Sequence, residues 1–238
     1  MNNRLEKYKG FCTEEYLMGP NSLQLLNEMM NKVSIKENSR ILDLGAGKGI
    51  TSLFLANETN SLVYAAELWI NPTVNYESFK EWGVADKVIP LKADANELPF
   101  AEGYFDVMVC IDAFHYFAGK KNFFEEKILP FLKKYGLAII AMPGLKKELS
   151  DNYPDIMVKW FEEDYDELNK FHCRKWWLEL LDNYEEYEIV EEFDLDCFYE
   201  AWEDWFNCGH EFGKKDKEFF MKGLGEYLSF IGLIIKKK

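Results

Sequence analysis

An acid followed by three glycines in alternate positions, Asp43-x-Gly45-x-Gly47-x-Gly49, opens the part of this chain most able to do chemistry. A turn built on glycine lets main-chain N–H groups come within contact distance of a ligand that any Cβ would hold off. Glu67 follows about 20 residues later, where a carboxylate gripping both hydroxyls of a ribose is expected; a solvated strand end is the plainer reading of the same residue. Asp94 adds another acid, and Asp112, His115 and Tyr116 form a short run of acid–base and aromatic groups. A dinucleotide fingerprint needs a third glycine at position 50, which is Ile50, and this weighs against an NAD-dependent oxidoreductase. A phosphate-binding Walker loop needs Ser or Thr after its Gly-Lys, but Lys48 is followed by Gly49.

Elements of the right kind stand around these residues. Ile41, Leu42 and Leu44 predict a short buried strand before the glycines, and the apolar run from Ile50 to Ala56 predicts a helix behind them. Further strands are predicted at Leu62 to Glu67, Val88 to Leu91, Tyr104 to Ile111 and Gly136 to Met142. Helices are predicted between them. One begins at Asn71-Pro72 with Val74, Phe79 and Trp82 turned inward, and one runs from about Asn122 to Leu132. Five alternations of strand and helix imply right-handed crossovers and a parallel sheet.

The ordered set of Asp43-x-Gly-x-Gly-x-Gly, Glu67, Asp94 with its Leu98-Pro99-Phe100 turn, and residues 112–117 resembles the class I, Rossmann-like methyltransferases that use S-adenosylmethionine (AdoMet). Within that family it looks most like the small-molecule branch containing ubiquinone/menaquinone-type and sarcosine-type enzymes. The resemblance covers residues 19–143, about half of the chain. It implies a doubly wound α/β fold with a seven-stranded, mostly parallel sheet, an antiparallel last strand inserted between strands five and six, and a helical cap insertion. It also implies AdoMet as cofactor and S-adenosylhomocysteine (AdoHcy) as product. Cofactor contacts are then expected from Asp43, Gly45, Ala46, Gly47, Glu67, Leu68, Asp94, Ala95, Cys110 and Ile111, with Asp94 and Ala95 at the adenine. His115 is the first candidate for a base near the transferable methyl, with Asp112 and Tyr116 in support. Lys133-Lys134-Tyr135-Gly136 stands where many relatives carry a Pro-Gly-Gly turn.

The resemblance also organises the chain as one methyltransferase domain over residues 1–238. Residues 1–20 would be an aromatic arm, either a lid over the cofactor or a simple cover for the core. The cofactor-binding core would span 21–144, a helical cap 145–186, and the last strands with an intervening helix 187–238. In the cap, Trp177, Leu180 and Leu181 share one helical stripe, and two helices are expected. The segment Trp202-Glu203-Asp204-Trp205-Phe206 reads either as a packed surface helix or as an aromatic, acidic wall for a cationic acceptor.

Composition narrows the partners. The chain has 238 residues, 48% hydrophobic and 29% charged, with a formal net charge of -14. That field repels phosphate backbones, so a small-molecule acceptor, cationic or aromatic, is expected rather than nucleic acid. No apolar run reaches the roughly 20 residues of a membrane span, and the first seven residues lack an apolar signal core. Five cysteines without a C-x-x-C pair suit reduced thiols in a cytoplasm. Cys208-Gly209-His210-Glu211 has no second ligand cluster to make a metal site, so none is expected. The competing reading is a non-catalytic AdoMet-binding or partner-binding protein on the same fold.

Overall fold

The computed structural model describes residues 4–150, 152–182 and 185–238; residues 1–3 of the arm, and 151, 183 and 184 of the expected cap, lie outside the described residues. Seven strands form one sheet: β1 (Arg40–Leu44), β2 (Leu62–Glu67), β3 (Val88–Lys92), β4 (Phe105–Ile111), β5 (Leu132–Leu145), β6 (Tyr187–Asp194) and β7 (Leu228–Lys237). Their order is β3-β2-β1-β4-β5-β7-β6. The first five run parallel, and β7 lies antiparallel between β5 and β6, as the family pattern implies.

Alternation along the central strands divides the core between the two faces of the sheet. Ile41, Val107, Val109, Ile139 and Ala141 point to one side, where α1 (Ser22–Lys32), α2 (Ile50–Thr59) and α3 (Pro72–Glu81) pack. Leu42, Met108, Cys110, Ile140 and Met142 point to the other. That second face is covered less by regular helix than by aromatic rings. Tyr64, Phe100, Tyr104 and Phe105 close the region between β3 and β4, with ring centroids 4.7–6.1 Å apart.

Sequence reasoning misjudged several local features. The expected helix from Asn122 to Leu132 is a π turn (Phe124–Ile128) followed by a 3-10 turn (Leu129–Phe131). Pro130 lacks an N–H and cannot continue a helix. Val74 is exposed, since α3 buries the stripe Asn75 and Phe79 one turn apart instead. Lys133 to Gly136 lies inside a longer β5, where Tyr135 takes a φ of +65° and the pairing with β4 shifts register. Between β5 and β6 stand three short helices, α4 (Asp155–Trp160), α5 (Tyr165–Leu168) and α6 (Arg174–Leu180), where two were expected.

The segment 202–206 lies in α7 (Phe198–Asn207), which precedes α8 (Glu211–Met221). Trp202 and Trp205 are buried, Trp202 among Phe206, Phe220 and Phe230. Asp204 accepts from Asn21 and Gln24 of the α1 start, and Asp216 of α8 accepts the indole N–H groups of both Trp160 and Trp205. These rings and carboxylates are spent on packing, so the plainer of the two expectations holds.

Candidate active site

A cavity of about 340 Å³ opens at the carboxyl ends of β1, β2 and β4, the edge at which open α/β sheets bind ligands. The chain crosses that edge just after β1 by way of the glycine turn. Gly45 and Ala46 donate their N–H groups to the Ala66 carbonyl of β2, at 2.9 and 3.2 Å. Gly45 has a φ of +76°, and a Cβ there would stand 2.4 Å from the Cβ of Ala113. No larger residue fits without parting β1 from the loop after β4. Gly49 caps α2 with a φ of +88°, and a Cβ there would meet the Phe79 ring at 2.5 Å.

Glu67, at the end of β2, is held by the main chain on both oxygens. Oε2 accepts from the N–H of Gly47 at 2.9 Å and Oε1 from that of Trp69 at 2.8 Å. The carboxylate therefore joins the glycine turn to the loop after β2, and its remaining lone pairs stay available at the cavity wall. Asn75 of α3 donates to the Gly47 carbonyl at 2.9 Å, fixing the turn from its far side. After β3, Asp94 accepts from the backbone N–H of Asn96 at 2.8 Å and from its side-chain amide at 2.7 Å, which holds the Asp94 carboxyl below its ordinary range.

The other side of the cavity is formed after β4. Asp112 donates its backbone N–H to Ala141 at 2.7 Å and takes a φ of +58°. Burial pushes its carboxyl up to about 7. Tyr116, Phe117 and Trp69 line the wall beside it, with Tyr116 and Trp69 in edge contact at 5.7 Å. Tyr16, Met18 and Pro20 of the N-terminal arm complete the lining. The arm is fastened by Lys48, whose ammonium donates to the carbonyls of Glu14 and Glu15, and by an aromatic cluster of Phe11, Tyr16 and Trp82.

Gly45, Ala46, Gly47, Glu67, Leu68, Asp94, Ala95, Ile111, Asp112 and Tyr116 are thus brought to one cavity. Asp43, Cys110 and His115 do not line it. Asp43 is buried behind the glycine turn, where Thr51 and Ser52 donate to Oδ2 at 2.7 and 2.6 Å and Oδ1 has no partner. Burial raises its carboxyl to about 6 against the lowering effect of those two hydroxyls. Cys110 faces the opposite core, where burial raises its thiol. His115 sits in the 3-10 turn Phe114–Tyr116 and is turned away from the cavity, against Phe171 and the ring of Tyr116. Burial, and secondarily the Lys170 charge, hold its imidazole down to about 3. An imidazole that stays neutral and faces the core is misplaced for a base.

Sequence reasoning missed Trp69, Asn96, Ser22 and Thr51 in the lining. Trp69 alone carried a usable signal, an aromatic two residues past the acid that closes β2. Among the described residues none from 145–186 lines the cavity; that segment reaches it indirectly, through Lys170 over the Tyr116 ring and Phe171 against His115.

Residues 42–140 match the model of a methyltransferase domain. Among curated proteins, the chain is 29% identical over 112 residues to the "Probable tocopherol O-methyltransferase, chloroplastic" of Oryza sativa subsp. japonica, spanning 47% of this chain and 28% of that protein. It is 25% identical over 168 residues to sterol 4-C-methyltransferase strm-1 of Caenorhabditis elegans, spanning 71% of this chain and 44% of the relative. The matched segments thus cover less than half the length of these relatives. Among solved structures, an AdoMet-dependent methyltransferase from Geobacter sulfurreducens in complex with AdoHcy aligns over 97% of this chain and 98% of its own, with a TM-score of 0.65 at 17% identity. A geranyl diphosphate C-methyltransferase from Streptomyces coelicolor aligns over 91% and 75%, with a TM-score of 0.68 at 14% identity. At such identities the likeness speaks for the fold.

Proposed function

We propose that this protein binds AdoMet in the cavity at the strand ends and transfers its methyl group to a small molecule, a reading supported by the match of residues 42–140 to the model of a methyltransferase domain. The observation that carries this reading is the order of side chains along the sheet edge. Asp94 follows β3, Glu67 ends β2, the glycine turn follows β1 and Ile111 ends β4, and these strands are adjacent in that sequence. At roughly 4.8 Å per strand, three gaps span about 14 Å, the reach of an extended nucleoside with an amino-acid tail. Asp94 and Ala95 then meet the adenine and Glu67 the ribose hydroxyls. Gly45 to Gly47, with Ile111 across from them, leave room for the methionine part. The fit is specific where it matters: Glu67 is already aimed by two main-chain donors, and Gly45 leaves open a space that any Cβ would close.

Bound there, AdoMet supplies a methyl carbon already activated by its sulfonium. The protein's share is to hold the acceptor in line, exclude water and receive a proton where the acceptor carries one. Asp112 and Tyr116 are the groups placed for that work, and the arm through Tyr16 and Met18 forms a wall over the turn. The curated relatives methylate small molecules by name, and an acceptor that is cationic or aromatic suits a cavity with carboxylates and exposed rings. The net charge of -14 supports an acceptor other than nucleic acid. Among the described residues no helix is long and apolar enough to cross a membrane, and the five free cysteines suit a reducing cytoplasm.

Calorimetry tests the reading directly. AdoMet and AdoHcy should each bind one site with a Kd on the order of micromolar, about 8 kcal/mol. No saturable heat from either ligand would remove the proposal.

A further inference from the structure

The charged groups that line the cavity are unequally engaged. Glu67 is held by two backbone N–H groups and Asp94 by Asn96, while the Lys48 ammonium is drawn onto the carbonyls of the arm. Asp112 differs. Among the described residues its carboxyl has no hydrogen-bond donor, and desolvation alone accounts for its shift. A desolvated carboxylate without a donor is costly, and the cost is relieved when a cation or a proton donor arrives. Its neighbours in the wall are the rings of Phe117 and Trp69, whose faces attract an ammonium, and the ring of Tyr116, which already carries the Lys170 ammonium at 5.4 Å. The opposite chemistry is poorly served, because among the described residues Lys48 is the one basic side chain in the lining and its ammonium is already on the arm's carbonyls. A phosphorylated or carboxylate acceptor would find no free counter-charge in the lining among the described residues, since Lys170 reaches the wall only from behind, over the Tyr116 ring.

We infer that the methyl acceptor is a small amine entering as its ammonium form, and that Asp112 seats that ammonium and removes its proton. The inference rests on the transferase reading above and deepens it by naming the acceptor class. An N–H bond of the ammonium breaks and an O–H bond forms on Asp112, leaving the nitrogen lone pair free. That lone pair forms the new C–N bond while the C–S bond breaks, its electrons passing to sulfur. The charge moves from the sulfonium to the methylated ammonium, and Asp112 later returns its proton to water. An ordinary amine loses its proton near 10 and an ordinary carboxyl near 4, a gap of about six units. A carboxyl raised to about 7 narrows that gap by half.

The test uses the full chain with AdoMet labelled in the methyl group, incubated with a small-molecule extract, the labelled product being identified by mass. Label on the nitrogen of an amine is expected; label on oxygen, sulfur or carbon overturns the inference and leaves the transferase reading intact. A chain that binds AdoHcy yet labels nothing overturns both the inference and the transfer, while cofactor binding survives. Asp112→Asn then separates the roles, since Asn also tolerates a positive φ. It should raise KM for the labelled amine by tenfold or more and leave the AdoHcy Kd within about twofold. Loss of AdoMet and AdoHcy affinity together, or of AdoMet affinity alone, would assign Asp112 to the cofactor's own cations and overturn the proposal. Asp112→Gly, which suits the same backbone conformation, repeats the measurement if the amide disturbs the fold.

Discussion

The two ends of the cavity are built on opposite principles. At the β2–β3 end each carboxylate is satisfied within the protein before any ligand arrives: Glu67 bridges two loops through main-chain N–H groups, and Asp94 closes its own turn on Asn96. At the β4 end Asp112 is half-buried in the cavity wall, lacks a donor among the described residues, and sits in a left-handed backbone conformation beside exposed rings. The first arrangement stabilises the empty protein and presents a fixed surface. The second leaves a polar group whose best partner is a ligand. Preorganisation belongs where a constant nucleoside must be recognised, and an unmet charge belongs where the reacting molecule enters.

The comparison breaks most completely at Gly45→Val. A Cβ there lands 2.4 Å from the Cβ of Ala113 in the loop after β4, and a branched side chain at positive φ adds about 1–3 kcal/mol of strain. Binding of AdoMet and AdoHcy should fall by more than 100-fold, with a lowered Tm, by calorimetry and thermal melts. An unchanged Kd would mean the cofactor does not approach this turn.

Glu67→Gln is the next largest. A hydrogen bond to a charged group is worth about 1.5–3 kcal/mol, so affinity should drop roughly 30-fold. The drop should be the same for AdoMet and AdoHcy, because the ribose is common to both. Folding should suffer too, since the new NH₂ group confronts a backbone N–H of Gly47 or Trp69. Unequal losses for the two ligands would place Glu67 near the sulfonium and reverse the orientation of the cavity.

These effects also mark what was legible in the chain. The glycine turn and Glu67 could be read because their job is local: a tight turn needs glycine, and a strand end places its acid by period alone. The parallel run of the first five strands was readable from alternation and crossover handedness, while the place of the antiparallel last strand came from the family resemblance. The state of Asp112 was not readable. Its desolvation comes from packing among residues distant in sequence, with Gly19 of the arm so close that a Cβ there would lie 3.2 Å from Oδ2. His115 failed for a related reason. Adjacent positions in a 3-10 turn point about 120° apart, so Tyr116 could face the cavity only by leaving His115 against Phe171. Residue type marked His115 as the base, and the turn that carries it decided otherwise.

His115→Phe gives the smallest effect and the sharpest distinction. An ordinary histidine and the raised carboxyl of Asp112 would both titrate near neutrality, so a pH profile alone does not separate them. In this fold the signs differ. Asp112 must be ionised to accept a proton, so kcat/KM should rise with pH through about 7 and hold until the ammonium of the acceptor is itself lost near 10. Cys110 and Tyr116, the titratable groups that feel the Asp112 charge, are both pushed upward by burial and do not ionise in that window. His115, held down to about 3, is neutral across the same range and contributes no step. The Phe variant should therefore keep the rise at the same pH, with kcat/KM within about threefold of the parent. It also removes a buried Nδ1 that has no partner among the described residues, a gain of about 1 kcal/mol that would lift Tm by roughly 2–4 °C. A profile that flattens in His115→Phe would return the base to the imidazole and require the 3-10 turn to rotate when the acceptor binds.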